Sequence, residues 1–256
     1  MTAPNRHEVL EVAVAAARAG GAVLLEHFGA PGEVEVRTKS TATDPVSDAD
    51  VAAEAAIRAV IADRRPHDGI LGEEGDDVHG TTGLRWVVDP LDGTVNFLFG
   101  IPQWCVSVAC DDVAGAILDP VRAELFTVVT GGPGQLDGRA LRPRRHGELA
   151  TALVATGFAY DAAVRERQAD VVGRLLGRVR DVRRLGSAAL DLAWTAAGRY
   201  DAYYERGVKP WDVAAGTLLC RQVGLEVHAL PAADGLPAGV LAAPPALAGP
   251  LLDLVG

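Results

Sequence analysis

Cysteine is scarce in this chain of 256 residues, and the three present, Cys105, Cys110 and Cys220, form no Cys-x-x-Cys pair. That spacing excludes a paired-thiol motif and fits a reducing compartment, where buried thiols serve as small apolar fillers. Long apolar runs are missing too. No stretch approaches the roughly 20 residues that a membrane span needs. The opening Met1-Thr-Ala-Pro-Asn-Arg leads into a segment carrying Glu11 and Glu26, unlike the apolar centre of a signal peptide. The expectation is a soluble, cytoplasmic protein with no membrane partner. Positive charge is in deficit: 24 Lys and Arg face 34 Asp and Glu, a net −10 at pH 7. Nucleic-acid binding relies on clustered cations, so that balance speaks against such a partner. No Gly-rich stretch ends in Gly-Lys-Ser or Gly-Lys-Thr, which excludes a P-loop.

What is present is a large apolar fraction, 49%, in a length that fills one α/β domain or two half-domains sharing a core. Val9, Leu10, Val12, Ala13, Ala16, Ala17, Val23 and Leu24 recur at helical spacing before Gly29 and Pro31. A second helix follows Ser47, with Asp50 completing a variant capping box and Ala53, Ala56, Ile57, Val60 and Ile61 on one face. Gly69-Ile-Leu-Gly72 and Leu84-Arg-Trp-Val-Val88 are predicted strands, each running into acidic residues, and from Trp104 to Val129 short β-branched runs read as a meander. Helical patterns over 164–179, 188–197, 213–223 and 247–254 then alternate with strand-like runs over 200–204, 225–230 and 240–243. Alternation of this kind implies a layered α/β architecture. The Gly- and Arg-rich stretch 131–145 is the internal boundary, dividing an N-terminal α+β half (about 1–140) from a C-terminal α/β half (about 141–256).

The most informative segment is Trp86-Val-Val-Asp89-Pro-Leu-Asp92-Gly-Thr94, a predicted strand ending in two carboxylates and a Gly-led turn into a helix. Asp89 and Asp92, three apart across a Pro-fixed turn, can face one cavity, while the Gly93 and Thr94 amides at a helix N-terminus can cradle an oxyanion. Carboxylates beside a phosphate repel it unless cations intervene. Gly72-Glu73-Glu74 at a strand end and Trp211-Asp212 opening a helix match that requirement. Each has a plainer reading: Asp212 as a helix cap, the Glu pair as a solvated turn, Asp-Gly as a turn signal. Together the plain readings weaken.

Four motifs then occur in one order: Asp44-Pro-Val-Ser-Asp48-Ala-Asp50, Gly72-Glu73-Glu74, Asp89-Pro-Leu-Asp92-Gly-Thr94, and Trp211-Asp212 with Ala215-Gly216. Gly186-Ser-Ala-Ala-Leu-Asp191 and Asp201-Ala-Tyr-Tyr-Glu205 join them. On these motifs the chain resembles the inositol monophosphatase family from about residue 8 to residue 255. The resemblance implies an α/β fold, a layered αβαβα sandwich of the sugar-phosphatase type, a homodimer, and lithium-sensitive, Mg²⁺-dependent hydrolysis of a small phosphate monoester by a metal-activated water. A phosphoaspartyl route of the haloacid dehalogenase type is disfavoured, since that chemistry needs Asp-x-Asp-x-Thr and the acidic spacing here is three.

Residue by residue, the resemblance implies one ion on Glu73, Asp89 and the Leu91 carbonyl, a second on Asp89, Asp92 and Asp212, and a looser third held through Glu73 and waters. Glu73, Asp89, Asp92 and Asp212 carry about −4 and a phosphate monoester adds roughly −1.5 to −2, a total that two or three divalent cations balance. Hard oxygen ligands are what Mg²⁺ prefers. Gly93 and Thr94 would hold the phosphoryl group, Thr94 with Asp50 would accept the proton of the attacking water, and Glu73 would orient that water. Asp50 suits the dipole of its helix equally well. Lys39 matches a lysine near the metal sites and is also read as a solvated charge. For the substrate, Asp92 and Glu205 would bind ring hydroxyls, with the Ala188 backbone nearby and Arg183 at the rim.

Two departures stand out. Lys209-Pro210 precedes Trp211 where some relatives carry His, Cys or another non-proline residue, and the segment from Phe28 to Lys39 is short. Inositol 1-phosphate is the leading substrate, histidinol phosphate and fructose 1,6-bisphosphate are the alternatives, and a phosphatase-like protein-interaction module is the reading from another class.

Overall fold

The first helix forms because its apolar residues fall on one stripe. In a computed structural model, which describes residues 5–29, 36–38, 45–145 and 147–256, α1 (Arg6–His27) buries Val9, Val12, Ala13, Ala16, Ala17 and Leu24, and Asn5 caps it by accepting from the His7 N–H at 3.2 Å. Next come β1 (Val36–Thr38), β2 (Pro45–Ser47) and α2 (Asp48–Arg64), which buries Ala53, Ile57 and Ile61. Lys39, Asp44 and the Ser47 side chain lie outside the described residues.

Seven strands build the first sheet: β3 (Gly69–Gly72), β4 (Arg85–Asp92), β5 (Cys105–Cys110), β6 (Ala114–Asp119), β7 (Glu124–Val129), β8 (Gln135–Leu136) and β9 (Arg139–Ala140), in that spatial order. β3 and β4 are parallel; every later pair is antiparallel, β4 and β5 being joined through residues 93–104 and the others by short connections. A one-turn helix, α3 (Thr94–Leu98), follows β4. The remaining chain supplies β10 (Leu153–Thr156), α4 (Ala162–Leu176), β11 (Asp181–Arg183), α5 (Ala188–Ala196), β12 (Ala202–Arg206), α6 (Pro210–Gln222), β13 (Glu226–Leu230), β14 (Gly239–Ala243) and α7 (Pro245–Val255). Its strands form a five-stranded sheet of order β11-β10-β12-β14-β13, mixed in direction.

Burial arranges these elements in five layers. α1 and α2 cover the outer face of the large sheet, with Leu24, Ile57, Trp86, Phe97 and Trp104 in one cluster. α5 and α6 fill the space between the sheets, where Phe126, Leu190, Leu192, Tyr203 and Leu219 meet. α4 and α7 close the far face over Val154, Leu175, Leu241 and Leu251. The expected αβαβα sandwich is what the chain forms, because each sheet and helix stripe needs an apolar partner on both sides. The stretch 131–145 holds the small β8–β9 hairpin, and the five-stranded sheet begins only after it, at Leu153.

Two details of the large sheet set up the site. Parallel register pairs Gly72 with Val88, so the next residues along, Glu73 and Asp89, emerge side by side. β4 also runs further than predicted. Asp89 pairs with Ser107 and Asp92 with Cys105, three steps against two, so Pro90-Leu91 is a bulge inside a strand and not a turn after one. Proline has no N–H to give a ladder, which is why it sits at the irregularity. Strict alternation would put residues three apart on opposite faces; the extra residue turns Asp92 back to the side of Asp89.

Asp68, just before β3, ties this edge together. Its buried carboxylate accepts from Arg65 Nε at 2.7 Å, Thr82 Oγ1 at 2.6 Å and Trp86 Nε1 at 3.1 Å. Burial pushes its pKa up, but the three donors outweigh burial and hold it below the ordinary aspartate value. Stability from this group is therefore complete above that ordinary value and is lost as pH falls below it. Asp68→Asn turns an amide N–H₂ toward donors and is expected to cost about 2–4 kcal/mol in urea titration at pH 7. A loss under about 0.5 kcal/mol, the usual range of surface changes, would show the network to be incidental.

Candidate active site

Glu73, Asp89, Leu91, Asp92, Gly93, Thr94, Ala188, Glu205 and Asp212 all line one cavity of about 260 Å³. They come from both sheets: Glu73 follows β3, Asp89 to Asp92 close β4, Ala188 opens α5, Glu205 lies on β12 and Asp212 is in the first turn of α6.

Each carboxylate has its own support. The Asp89 carboxylate accepts from the Leu91 N–H at 3.0 Å, a bond made within the bulge. Asp92 accepts from Ser187 Oγ at 2.7 Å, the Ala189 N–H at 2.6 Å and the Ala188 N–H at 3.2 Å, amides exposed at the start of α5 by helix geometry. Asp212 accepts from the Lys209 N–H at 2.6 Å. Glu205 accepts from Tyr203 OH at 3.0 Å. The Ala188 amide is thus committed to Asp92, and its part is to support that carboxylate and form the wall.

Electrostatics show what is missing from so acidic a cavity. Burial pushes the Asp89 carboxyl well above the usual range, and Glu73, Asp92 and Asp212 add to it by repulsion. Asp212 is raised by burial and then by Asp92. Asp92 is pushed up to about 6 by burial, against the bonds from Ser187, Ala189 and Ala188. Burial takes Glu205 up to about 7, opposed by the bond from Tyr203. A divalent cation relieves both desolvation and repulsion, and four carboxylates with the Leu91 carbonyl are the hard donors such an ion takes. Among the described residues no three acidic, histidine or cysteine side chains are already gathered at ligand distance. Asp89 is hydrogen-bonded to Glu73 instead, so an ion would replace that contact.

At the turn into α3, Gly93 has φ +105, and a Cβ there would meet the Gln103 carbonyl at 2.9 Å and Trp104 Cα at 3.2 Å. Glycine is required both by conformation and by space. Phe97 makes the first intrahelical bond, to Gly93 O at 3.0 Å, so the Thr94 and Val95 amides precede the ladder. Thr94 Oγ1 lies 3.2 Å from Asp50 Oδ1 and 3.1 Å from the Leu91 carbonyl, with Asp50 fully buried in the first turn of α2. A hydroxyl has one proton, so it donates to one of these at a time and keeps lone pairs for another donor.

Arg183 is not part of this wall. It sits on β11, exposed and paired with Asp181 at 2.5 Å, while its neighbour Arg184 lines the cavity with its guanidinium carbon 5.8 Å from the Phe158 ring centre. Arg183 ends β11 and Arg184 begins the connection to α5, a boundary unreadable in so short an element.

Three positioning residues went unread in the sequence. Glu54, buried on α2, accepts from the Glu74 N–H and the Gly75 N–H, both at 2.8 Å, and so fixes the loop that carries Glu73. Its signal was an acidic i,i+4 pair with Asp50 on the apolar face of a helix. Ser187 lay inside a quoted motif without a role, and Tyr203 gave no signal beyond its place two residues before Glu205. Phe158, Tyr160, Arg184, Lys209 and Trp211 are also among the lining residues.

The sequence matches the profile of the Inositol monophosphatase family over residues 5–251. It is 46% identical to the Inositol-1-monophosphatase SuhB of Mycobacterium tuberculosis over 235 residues, 86% of this chain and 81% of that protein. It is 41% identical to the Nus factor SuhB of Escherichia coli over 225 residues, 85% of this chain and 84% of the relative. The fold superposes on the crystal structure of the extragenic suppressor protein suhB from Bartonella henselae with a TM-score of 0.88 at 33% identity, covering 96% of this chain and 98% of that one.

Proposed function

The chain belongs to the inositol monophosphatase family, and from that premise we propose that it is a Mg²⁺-dependent phosphatase that converts inositol 1-phosphate to inositol and phosphate. The observation that carries this reading is the convergence of Glu73, Asp89, Asp92 and Asp212 with Thr94 and Glu205 on one cavity. Magnesium, when bound, would neutralise the phosphoryl oxygens and leaving group and acidify the attacking water.

Glu73, Asp89, Asp92, Asp212 and the Leu91 carbonyl would hold two or three such ions, with Asp89 shared between two of them. The Gly93 and Thr94 amides would donate to the phosphoryl oxygens where charge develops. Thr94, by donating to Asp50, would have a lone pair directed at the attacking water, making the hydroxyl a relay from water to a buried carboxylate. Glu205, with one oxygen held by Tyr203, would present the other to vicinal ring hydroxyls. Asp92 would meet the same ring from a carboxylate fixed by α5.

Phosphate release from inositol 1-phosphate, histidinol phosphate, fructose 1,6-bisphosphate and adenosine 3′,5′-bisphosphate, with and without Mg²⁺, tests this reading. Release is expected only with magnesium, fastest from inositol 1-phosphate, inhibited by Li⁺, and from a protein that sediments as a homodimer. A different preferred ester would keep the mechanism and replace the substrate. The 41% identity to a protein named Nus factor SuhB favours a second reading, a partner-binding module; hydrolysis of none of the four esters would turn the choice to it.

A further inference from the structure

Arg184 and Lys209 stand at the mouth of the cavity, and the chemistry above uses neither. Both line it and both are exposed, while the deep wall is acidic. Among the described residues neither has a carboxylate ion-pair partner. Arg184 lies over Phe158, 5.8 Å from the ring centre, and close behind it comes Gly186, where a Cβ would meet the guanidinium at 2.6 Å. That backing holds its side chain against the wall. Its charge also reaches Glu205 across the cavity. Lys209 is the less committed of the two. Its main-chain N–H is fixed by Asp212 and Pro210 starts α6 immediately after it, so its Cα is anchored beside the acidic floor while, among the described residues, its ammonium makes no ion pair.

A lysine ammonium is a compact point charge that can meet an anion from any direction, and a guanidinium adds a planar fork for phosphate or carboxylate. Two such exposed groups on the lining of a cavity whose carboxylates would take one phosphate through cations suit a ligand charged at both ends. We infer that Arg184 and Lys209 form a second anion subsite, so that the cavity favours sugar or polyol phosphates bearing a second anionic group, a second phosphate above all, over the matching monophosphate. This rests on the proposed hydrolase reading for its catalytic consequence, though not for the binding itself.

The test uses a matched pair, fructose 1,6-bisphosphate and fructose 1-phosphate, which differ only at the far end. With Mg²⁺, kcat/KM is expected to be about tenfold higher for the bisphosphate, the effect of one charge-assisted contact. In Lys209→Gln the ratio falls, and in Lys209→Gln with Arg184→Gln it falls to about one; because a ratio is read, any general loss of activity cancels. Raising salt compresses the wild-type ratio by screening this exposed pair. A wild-type ratio near one, or a ratio that survives the double substitution, overturns the subsite. Calorimetric titration of both sugars in Ca²⁺ reads binding separately: tighter binding of the bisphosphate to the wild type, lost in the double variant, supports the subsite, and equal binding overturns it. Should no ester, inositol 1-phosphate included, release phosphate with Mg²⁺, the hydrolase reading fails and the titration alone decides the subsite.

Discussion

Asp89→Asn is expected to lower phosphate release by about a thousandfold or more, a loss of ~4 kcal/mol of transition-state stabilisation, while the protein stays folded. Asparagine has nearly the shape of aspartate, and the bond from the Leu91 N–H can still find an oxygen acceptor. What disappears is the charge of a ligand that two ions would share, together with one of its two oxygens. Neutral amide oxygen would be a poor substitute in a site proposed to hold two divalent cations against their own repulsion.

Stability should move the other way. Burial and three acidic neighbours raise the Asp89 pKa, so the fold disfavours its ionised form at neutral pH in the absence of metal. In EDTA, Asp89→Asn should therefore melt no lower than the wild type, and the stabilisation that added Mg²⁺ gives the wild type should shrink in the variant. Calorimetric melting with and without magnesium, beside phosphate release, reads both effects. Residual activity above about a tenth of the wild type, less than a 1.4 kcal/mol loss, would remove Asp89 from the shared-ligand position.

A large stability effect is also expected at Arg206, at the end of β12. This guanidinium is buried and, among the described residues, has no carboxylate partner and donates only to main-chain carbonyls: Val255 at 2.9 and 3.2 Å, Pro231 at 2.9 Å and Pro237 at 3.0 Å. Burial lowers its pKa, the mark of a charge held at some cost. The compensation is four charge-assisted hydrogen bonds, two of them at the C-terminal end of α7, where the helix dipole presents negative potential. Arg206→Leu leaves those carbonyls without their donor and unhooks α7 from the five-stranded sheet. A loss of about 3 kcal/mol is expected, which for a chain of this size lowers Tm by roughly 6–12 °C. A fall of less than about 2 °C would mean that water satisfies the carbonyls as well as arginine does.

Arg206 illustrates what single-sequence reading misses. An arginine at a strand end is ordinarily exposed, and nothing in Tyr203-Tyr204-Glu205-Arg206 says that its acceptors lie 25 to 49 residues away. β10 escaped for a different reason: Leu-Val-Ala-Thr is four residues in an alanine-rich chain, too short for a period to register, yet it is a central strand of its sheet. The helices were legible because each has several turns of stripe and a defined end, as in α1 and α2.

Much of the acidic set was legible as well, because strand ends, Asp-Gly turns and helix starts announce themselves locally. Glu54 was not, since a buried carboxylate on a helix is indistinguishable in sequence from an exposed one until the loop it holds is in place. Arg183 and Arg184 differ only in the direction their side chains leave the backbone, which adjacency in sequence leaves open.

By itself the sequence determined the elements of a layered α/β chain and the kinds of groups available: apolar stripes that must be covered, oxygen-bearing side chains without cysteine or histidine among them, a glycine where the chain must turn into α3. Those are local properties, set by side-chain chemistry and backbone sterics within a few residues. Only the tertiary structure decided that Asp89 and Asp92 face the same way, through a bulge defined by its partner strand, and that Asp50 meets Thr94 and Ser187 meets Asp92. Those contacts join residues 44 and 95 positions apart, and their geometry exists only once two sheets and the helices between them have packed.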